Sequence, residues 1–199
     1  YYTEFSGGTA LVPFGIIRAD GVKEPIGGGL DFGFDNNRSI KLIPSPRGNF
    51  VAYNVGGSSR NSWGIVNPAT GVFTSRGDLV DEFEMTLGEA PVMGLSAGGD
   101  LFAFGFIGSS QYKFGRFDVD TGAFTEILNP APNDFATSFA PAPGGGLYYV
   151  QQTGGTAPVP FGIVDKTTGV RTPIGDGLDF LTDSNREVQL VTSPSGALF

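Results

Sequence analysis

The 199-residue chain contains neither cysteine nor histidine. Without cysteine there is no disulfide framework, no thiolate metal site and no redox dithiol. Without histidine the commonest general base, the commonest metal ligand and the usual partner of a nucleophilic serine are missing. Positive charge is scarce as well: twelve basic residues face twenty acidic ones, for a net charge of −8. Such a surface repels phosphate backbones and anionic lipid, which argues against nucleic-acid and electrostatic membrane binding. No run approaches the ~20 apolar residues of a membrane-spanning helix, and none reads as a signal peptide. Because the chain opens on Tyr1 and not on Met, a segment upstream of it is expected.

What the sequence has in excess is turn formers and phenylalanine: 32 Gly, 14 Pro and 18 Phe. With 40% hydrophobic residues the chain is globular in composition. Its length suits a single domain over residues 1–199, able to bury about 70% of its unfolded surface. An aromatic residue followed by glycine recurs at Phe14-Gly15, Trp63-Gly64, Phe114-Gly115 and Phe161-Gly162, spaced 49, 51 and 47 residues apart. A turn follows each at Asp20-Gly21, Thr70-Gly71, Thr121-Gly122 and Thr168-Gly169. A second turn recurs at Ser45-Pro46-Arg47-Gly48, Ser96-Ala97-Gly98-Gly99, Ala142-Pro143-Gly144-Gly145 and Ser193-Pro194-Ser195-Gly196. The repeats therefore run over about 1–48, 49–99, 100–145 and 146–199.

Within each repeat, short apolar runs alternate or cluster between Gly, Pro, Asn and Asp, which is the grammar of strands. In the third copy, Leu101–Ile107 and Tyr112–Val119 read as a hairpin, with Ala123–Leu128 after the Asp120-Thr121-Gly122 turn. No segment has a useful helical period. Four strands in each of four units predict an all-β fold, a four-bladed β-propeller of four-stranded antiparallel blades. The innermost strands are expected at Ser39–Ile43, Pro91–Leu95, Phe135–Ala140 and Glu187–Val191. Tyr1-Tyr2-Thr3 aligns with Tyr148-Tyr149-Val150, the second strand type. The N-terminus would then give three strands to one blade and the C-terminus its innermost strand, closing the ring without a free edge. The alternative is a four-repeat segment of a larger propeller.

The stretches SPRGNFVAY, SAGGDLFAF, APGGGLYYV and SPSGALF, with DVDTGAF and DKTTGV further on, resemble the YVTN-type propeller repeat, SPDG-x-LYV … DTxTG. The resemblance covers nearly the whole chain and implies blades, not an activity. Gly, Arg or Ser stands where that pattern has Asp. Propellers of the YVTN type usually have more than four blades. The first and fourth units match each other best, in GGTALVPFGI and GGTAPVPFGI.

Two sets of loops belong to one face of such a fold. Those leaving the second strand are short and neutral, apart from Arg60. Those entering the innermost strand are acidic, and hold Asp31, Asp35, Asn37 and Arg38; Asp78 and Asp81; Asp134; and Asp179, Asp183 and Arg186. These form the candidate ligand-binding face. Asp31, Asp35, Asp179 and Asp183 are candidate oxygen ligands for calcium, although their spacing matches no EF-hand loop. No other cofactor is expected. Asp, Asn and Arg also suit the hydroxyls of a glycan, and the plain alternative is that they form turns and solvate a Gly- and Phe-rich surface. Paired carboxylates can cleave a glycosidic bond without histidine, but nothing in the sequence singles out a pair or names a catalytic residue. Trp63 takes the place of Phe in the other units and is expected in the core. The triplets Gly27–Gly29 and Gly144–Gly146 precede no helix and so are not phosphate loops. Asn37-Arg38-Ser39 is a glycosylation sequon should the source be a eukaryote.

The leading functional expectation is a non-enzymatic extracellular or cell-surface module. It would bind a protein or glycan partner, or self-associate as the repeating subunit of an assembly. The alternative is a carboxylate-dependent glycoside hydrolase or a glycan-binding lectin. A multivalent lectin should repeat its polar set in several units, whereas the acidic loops agree only between the first and fourth.

Overall fold

The computed structural model describes residues 1–4, 10–33, 39–55, 61–84, 90–108, 111–128, 136–151, 158–179, 188–192 and 198. Two compact units emerge from the contacts, one of residues 1–90 with 119–122 and one of 91–118 with 123–199.

The first unit holds two sheets. One is three-stranded, in the order β1 (Tyr2–Thr3), β2 (Phe14–Ile17), β3 (Lys23–Pro25). The other is a four-stranded meander, β4 (Ser39–Pro44), β5 (Phe50–Val55), β6 (Ser62–Val66) and β7 (Phe73–Asp78). A single 3-10 turn, Leu79–Asp81, follows β7. Val12, Phe14, Leu30 and Phe32 pack with Ala52 and Val66 in one core cluster, joined by Phe50 and Phe73. Burying each of the large side chains contributes roughly 1.5–3 kcal/mol.

The second unit repeats the plan twice. Strands β8 (Val92–Leu95), β9 (Leu101–Gly108), β10 (Gln111–Phe117) and β11 (Phe124–Leu128) form one meander. Strands β12 (Ala136–Pro141), β13 (Leu147–Gln151), β14 (Phe161–Val164) and β15 (Arg171–Pro173) form the other. Phe102, Phe104 and Phe114 pack with Phe139, Leu147, Tyr149 and Val164. A Cβ on Gly94 of β8 would strike Phe139 of β12, so the absence of a side chain there lets these two strands approach.

Every neighbouring strand pair is antiparallel. The strands expected in the third copy are present as β9, β10 and β11. Three expected innermost strands are β4, β8 and β12, so each full sheet takes its first strand from the repeat before it. The first sheet has the three N-terminal strands assigned to it. For the fourth innermost strand, Glu187 lies outside the described residues and 188–191 carry no strand. Leu190 is buried there and donates its main-chain N–H to Ser138 Oγ at 2.9 Å. Leu190 packs with Ala140, Val150 and Val159.

Candidate functional site

The recurring aromatic–glycine pair explains how the last two strands of each sheet meet. A Cβ on Gly15, Gly64 or Gly162 would collide with the carbonyl oxygen of Glu24, Thr74 or Thr172 on the adjoining strand. On Gly115 it would strike the Phe124 ring and the Thr125 carbonyl. At Gly64 and Gly115 the pairing register also shifts, as at a β-bulge. Glycine here is a packing requirement, and the turn chemistry of the repeat likewise belongs to architecture.

The end of the second sheet departs from the repeat. One residue beyond the Tyr53–Trp63 pair stand Asn54 on β5 and Ser62 on β6. Ser62 is paired in register with Asp78 at the end of β7, and its hydroxyl donates to Asp78 Oδ1 at 3.1 Å. Asn61 precedes Ser62, and its carbonyl accepts the N–H of Leu79 at 3.1 Å. Asn54 and Asn61 are 0% and 2% exposed, and Ser62 is buried beside them.

The same backbone position can be traced through two other sheets. Val12 exchanges hydrogen bonds with Leu30, and Val159 with Leu178, each bond between 2.8 and 3.0 Å. Leu79 bonds to Asn61 as Leu30 does to Val12, so Asn61 occupies a valine position. Both valines are buried. The fold at this position is therefore satisfied by an apolar side chain, and the amide is an addition to it. Asn61 Oδ1 is buried without a hydrogen-bond partner. Leaving such an oxygen unsatisfied costs about 1–3 kcal/mol. The φ of 48° at Asn61 adds a left-handed conformation that Asn tolerates better than most side chains.

Of the predicted binding face, Asp31, Asp78, Asp81 and Asp179 lie in the described residues. Asp35, Asn37, Arg38, Arg60, Asp134, Asp183 and Arg186 lie outside them. Asp31 is exposed and its Oδ1 accepts the N–H of Gly33 at 2.8 Å, which makes it a turn former. Asp179 is exposed. Asp78 and Asp81 share one short stretch, with Asp78 half-buried and Asp81 exposed on the 3-10 turn; Glu82 follows. Among the described residues, no three acidic side chains gather as metal ligands would. Trp63, the expected core residue, is fully buried. Sequence reasoning found Asp78 but missed Asn54, Asn61 and Ser62. A signal was present: the second repeat has polar residues where the first has Val12 and Pro13.

Two described groups have a displaced titration, one on strand β3 and one in the turn after β14. Lys23 is raised by the hydrogen bond and charge of Glu4. Asp165 is lowered by the N–H groups and hydroxyl of its own turn.

The fold is that of a β-propeller. The chain is similar to the gluconolactonase of Xanthomonas campestris, with a TM-score of 0.60 at 13% identity over 98% of this chain and 62% of that one. It is also similar to the exo-β-1,3-galactanase of Phanerochaete chrysosporium, with a TM-score of 0.53 at 13% identity over 85% and 44%. TolB of Acinetobacter baumannii gives 0.50 at 15% identity over 87% and 44%. The chain thus spans about half the length of the structures it resembles. No family model and no curated sequence matches it. At these identities the likeness shows the fold.

The comparison nevertheless corrects the leading functional expectation. The gluconolactonase and the galactanase are enzymes, and they overturn the expectation that this fold points to a non-enzymatic module; at 13% identity they give this chain a fold and not a substrate. The physical reason for the miss lies in the argument from missing histidine. It removes one kind of catalyst but does not touch carboxylate chemistry. Among the described residues no helix is long and apolar enough to cross a membrane.

Proposed function

We propose that this chain belongs to a carbohydrate-directed hydrolase that works through carboxylates, with Asp78 as the residue nearest the chemistry. The observation that carries this reading is the Ser62–Asp78 hydrogen bond, set beside buried Asn61 at a position that is valine in two sister sheets. Glycosidic-bond hydrolysis needs two carboxyl groups, one to protonate the leaving oxygen and one to act as base or nucleophile, and it needs no histidine. Asp81 or Glu82, on or just after the 3-10 turn behind Asp78, supplies the second group. Ser62 fixes one oxygen of Asp78, so the carboxylate is oriented before substrate arrives. Buried amides suit sugar hydroxyls, which donate and accept. The net charge of −8 favours a neutral substrate over an anionic one. The fold, shared with the gluconolactonase and the galactanase, is compatible with that substrate class.

The test is turnover of β-1,3-galacto-oligosaccharides, aryl glycosides and an aldonolactone by the wild-type chain and by Asp78→Asn. The substitution should lower turnover by about 10²–10⁴, the usual weight of a positioned acid or base, with an unchanged melting temperature. Absence of turnover by a demonstrably folded wild-type chain on all three substrate types would sink the hydrolase. Binding of the oligosaccharides without turnover would leave a lectin in its place.

A further inference from the structure

We propose that Asn61 is the specificity-determining residue of this site, its side-chain oxygen accepting a hydrogen bond from one hydroxyl of a bound neutral sugar. The inference rests on the reading of the Asp78 end of the sheet as a carbohydrate site, and it names the residue that reads the ligand.

The case begins with what the fold does not require. Val12 and Val159 show that an apolar side chain fills the position, and that its backbone can exchange both hydrogen bonds with the following leucine. In the second sheet Leu79 donates its N–H to the Asn61 carbonyl, and the backbone at Asn61 turns to a φ of 48°. The side chain so placed is 2% exposed and its oxygen has no partner. An amide oxygen accepts only, so the missing partner is a donor. A buried polar atom left unmatched in the free protein and matched in the complex is a strong source of discrimination. A ligand lacking the donor leaves it unpaired, whereas one that carries the donor satisfies it.

A hydroxyl fits better than a cation. A hard cation takes six to eight oxygens, and no three acidic side chains gather among the described residues. One residue away, Ser62 already sets a hydroxyl against the Asp78 carboxylate, which is the contact a sugar hydroxyl would extend.

The experiment uses residues 1–199 with D-galactose and D-glucose as probes. Binding is followed by calorimetry and by the side-chain amide resonances of Asn61, in the wild type, Asn61→Gly and Asp78→Asn. Glycine removes the amide while accepting the positive φ. At least one sugar should shift the Asn61 resonances, and Asn61→Gly should weaken its binding tenfold or more. Binding by Asn61→Gly within twofold of wild type would overturn the assignment of Asn61, whatever happens to turnover. Failure of both sugars to bind the wild type would overturn it too. Sugar binding that depends on Asn61 in a chain without turnover would uphold the inference and remove the hydrolase.

Discussion

Asn61 stands in the second sheet where Val12 stands in the first: each accepts on its carbonyl the N–H of a leucine, Leu79 at 3.1 Å and Leu30 at 2.8 Å. Both positions are buried, yet one side chain is apolar and the other is an amide whose oxygen has no partner. A residue that is wrong for the core and present nonetheless marks a place where stability has been given up.

That exchange can be measured. Asn61→Gly removes an unsatisfied oxygen, which contributes about 1–3 kcal/mol, and offsets part of it with roughly 0.5–1 kcal/mol of glycine backbone entropy. The variant should be more stable by about 1 kcal/mol, which is a rise of roughly 2–4 °C in melting temperature for a chain of this size. A fall of several degrees in calorimetry would mean that the amide is a structural prop.

The glycine of the aromatic–glycine pair should behave in the opposite way. Gly64→Ala places a Cβ against the Thr74 carbonyl, where neither strand can yield without breaking register. The expected loss is about 3 kcal/mol, at the upper end of overpacking. Gly21→Ala is the control: its φ is 83° but nothing lies within 4 Å of the added methyl, so roughly 1–2 kcal/mol of backbone strain is all it meets. Equal denaturation midpoints for the two variants would refute the collision argument.

Trp63 is the chain's single tryptophan and is fully buried, so it reports directly on the core of its sheet. Its emission should be blue-shifted in the folded protein and should move red at the same denaturant concentration as the loss of β-sheet circular dichroism. Trp63→Phe, the residue of the sister units, should cost about 1–3 kcal/mol through the space it leaves. Sugar binding in that variant should equal wild type. A loss of binding with retained fold would make the indole part of the site.

The architecture was legible in the sequence because steric rules repeat. Gly15, Gly64, Gly115 and Gly162 recur because each strand pair would meet the same collision, and turn glycines such as Gly48 and Gly99 recur because each has a positive φ. The site was less legible. Acidic residues drew attention to the loops, but Asp31 is a turn former, and seven of the eleven named positions fall outside the described residues. Asn61 was passed over as the end of a short neutral loop, although it stands two residues before Trp63-Gly64 as Val12 stands two before Phe14-Gly15.

The DxTTG turn gives a prediction with a definite sign. Asp165 Oδ1 accepts the N–H of Thr168 at 2.8 Å, the N–H of Thr167 at 2.9 Å and the Thr168 hydroxyl at 3.0 Å, and these bonds lower its pKa from 3.8. The folded state therefore prefers the charged carboxylate more than the unfolded state does. Its stabilising contribution is complete above the unfolded value of about 3.9 and is lost as pH falls through the lower folded value. In the second repeat Asn67 makes the matching bonds with a neutral amide, accepting from Ala69 at 2.9 Å and Thr70 at 3.3 Å. Asp165→Asn should accordingly keep the turn and lose its pH dependence. Melting temperatures of the two proteins should run parallel from about pH 7 to 5, and the wild type should then fall more steeply below about pH 4. Curves that stay parallel to pH 2.5 would show that the turn's hydrogen bonds hold the protonated and charged carboxyl equally well.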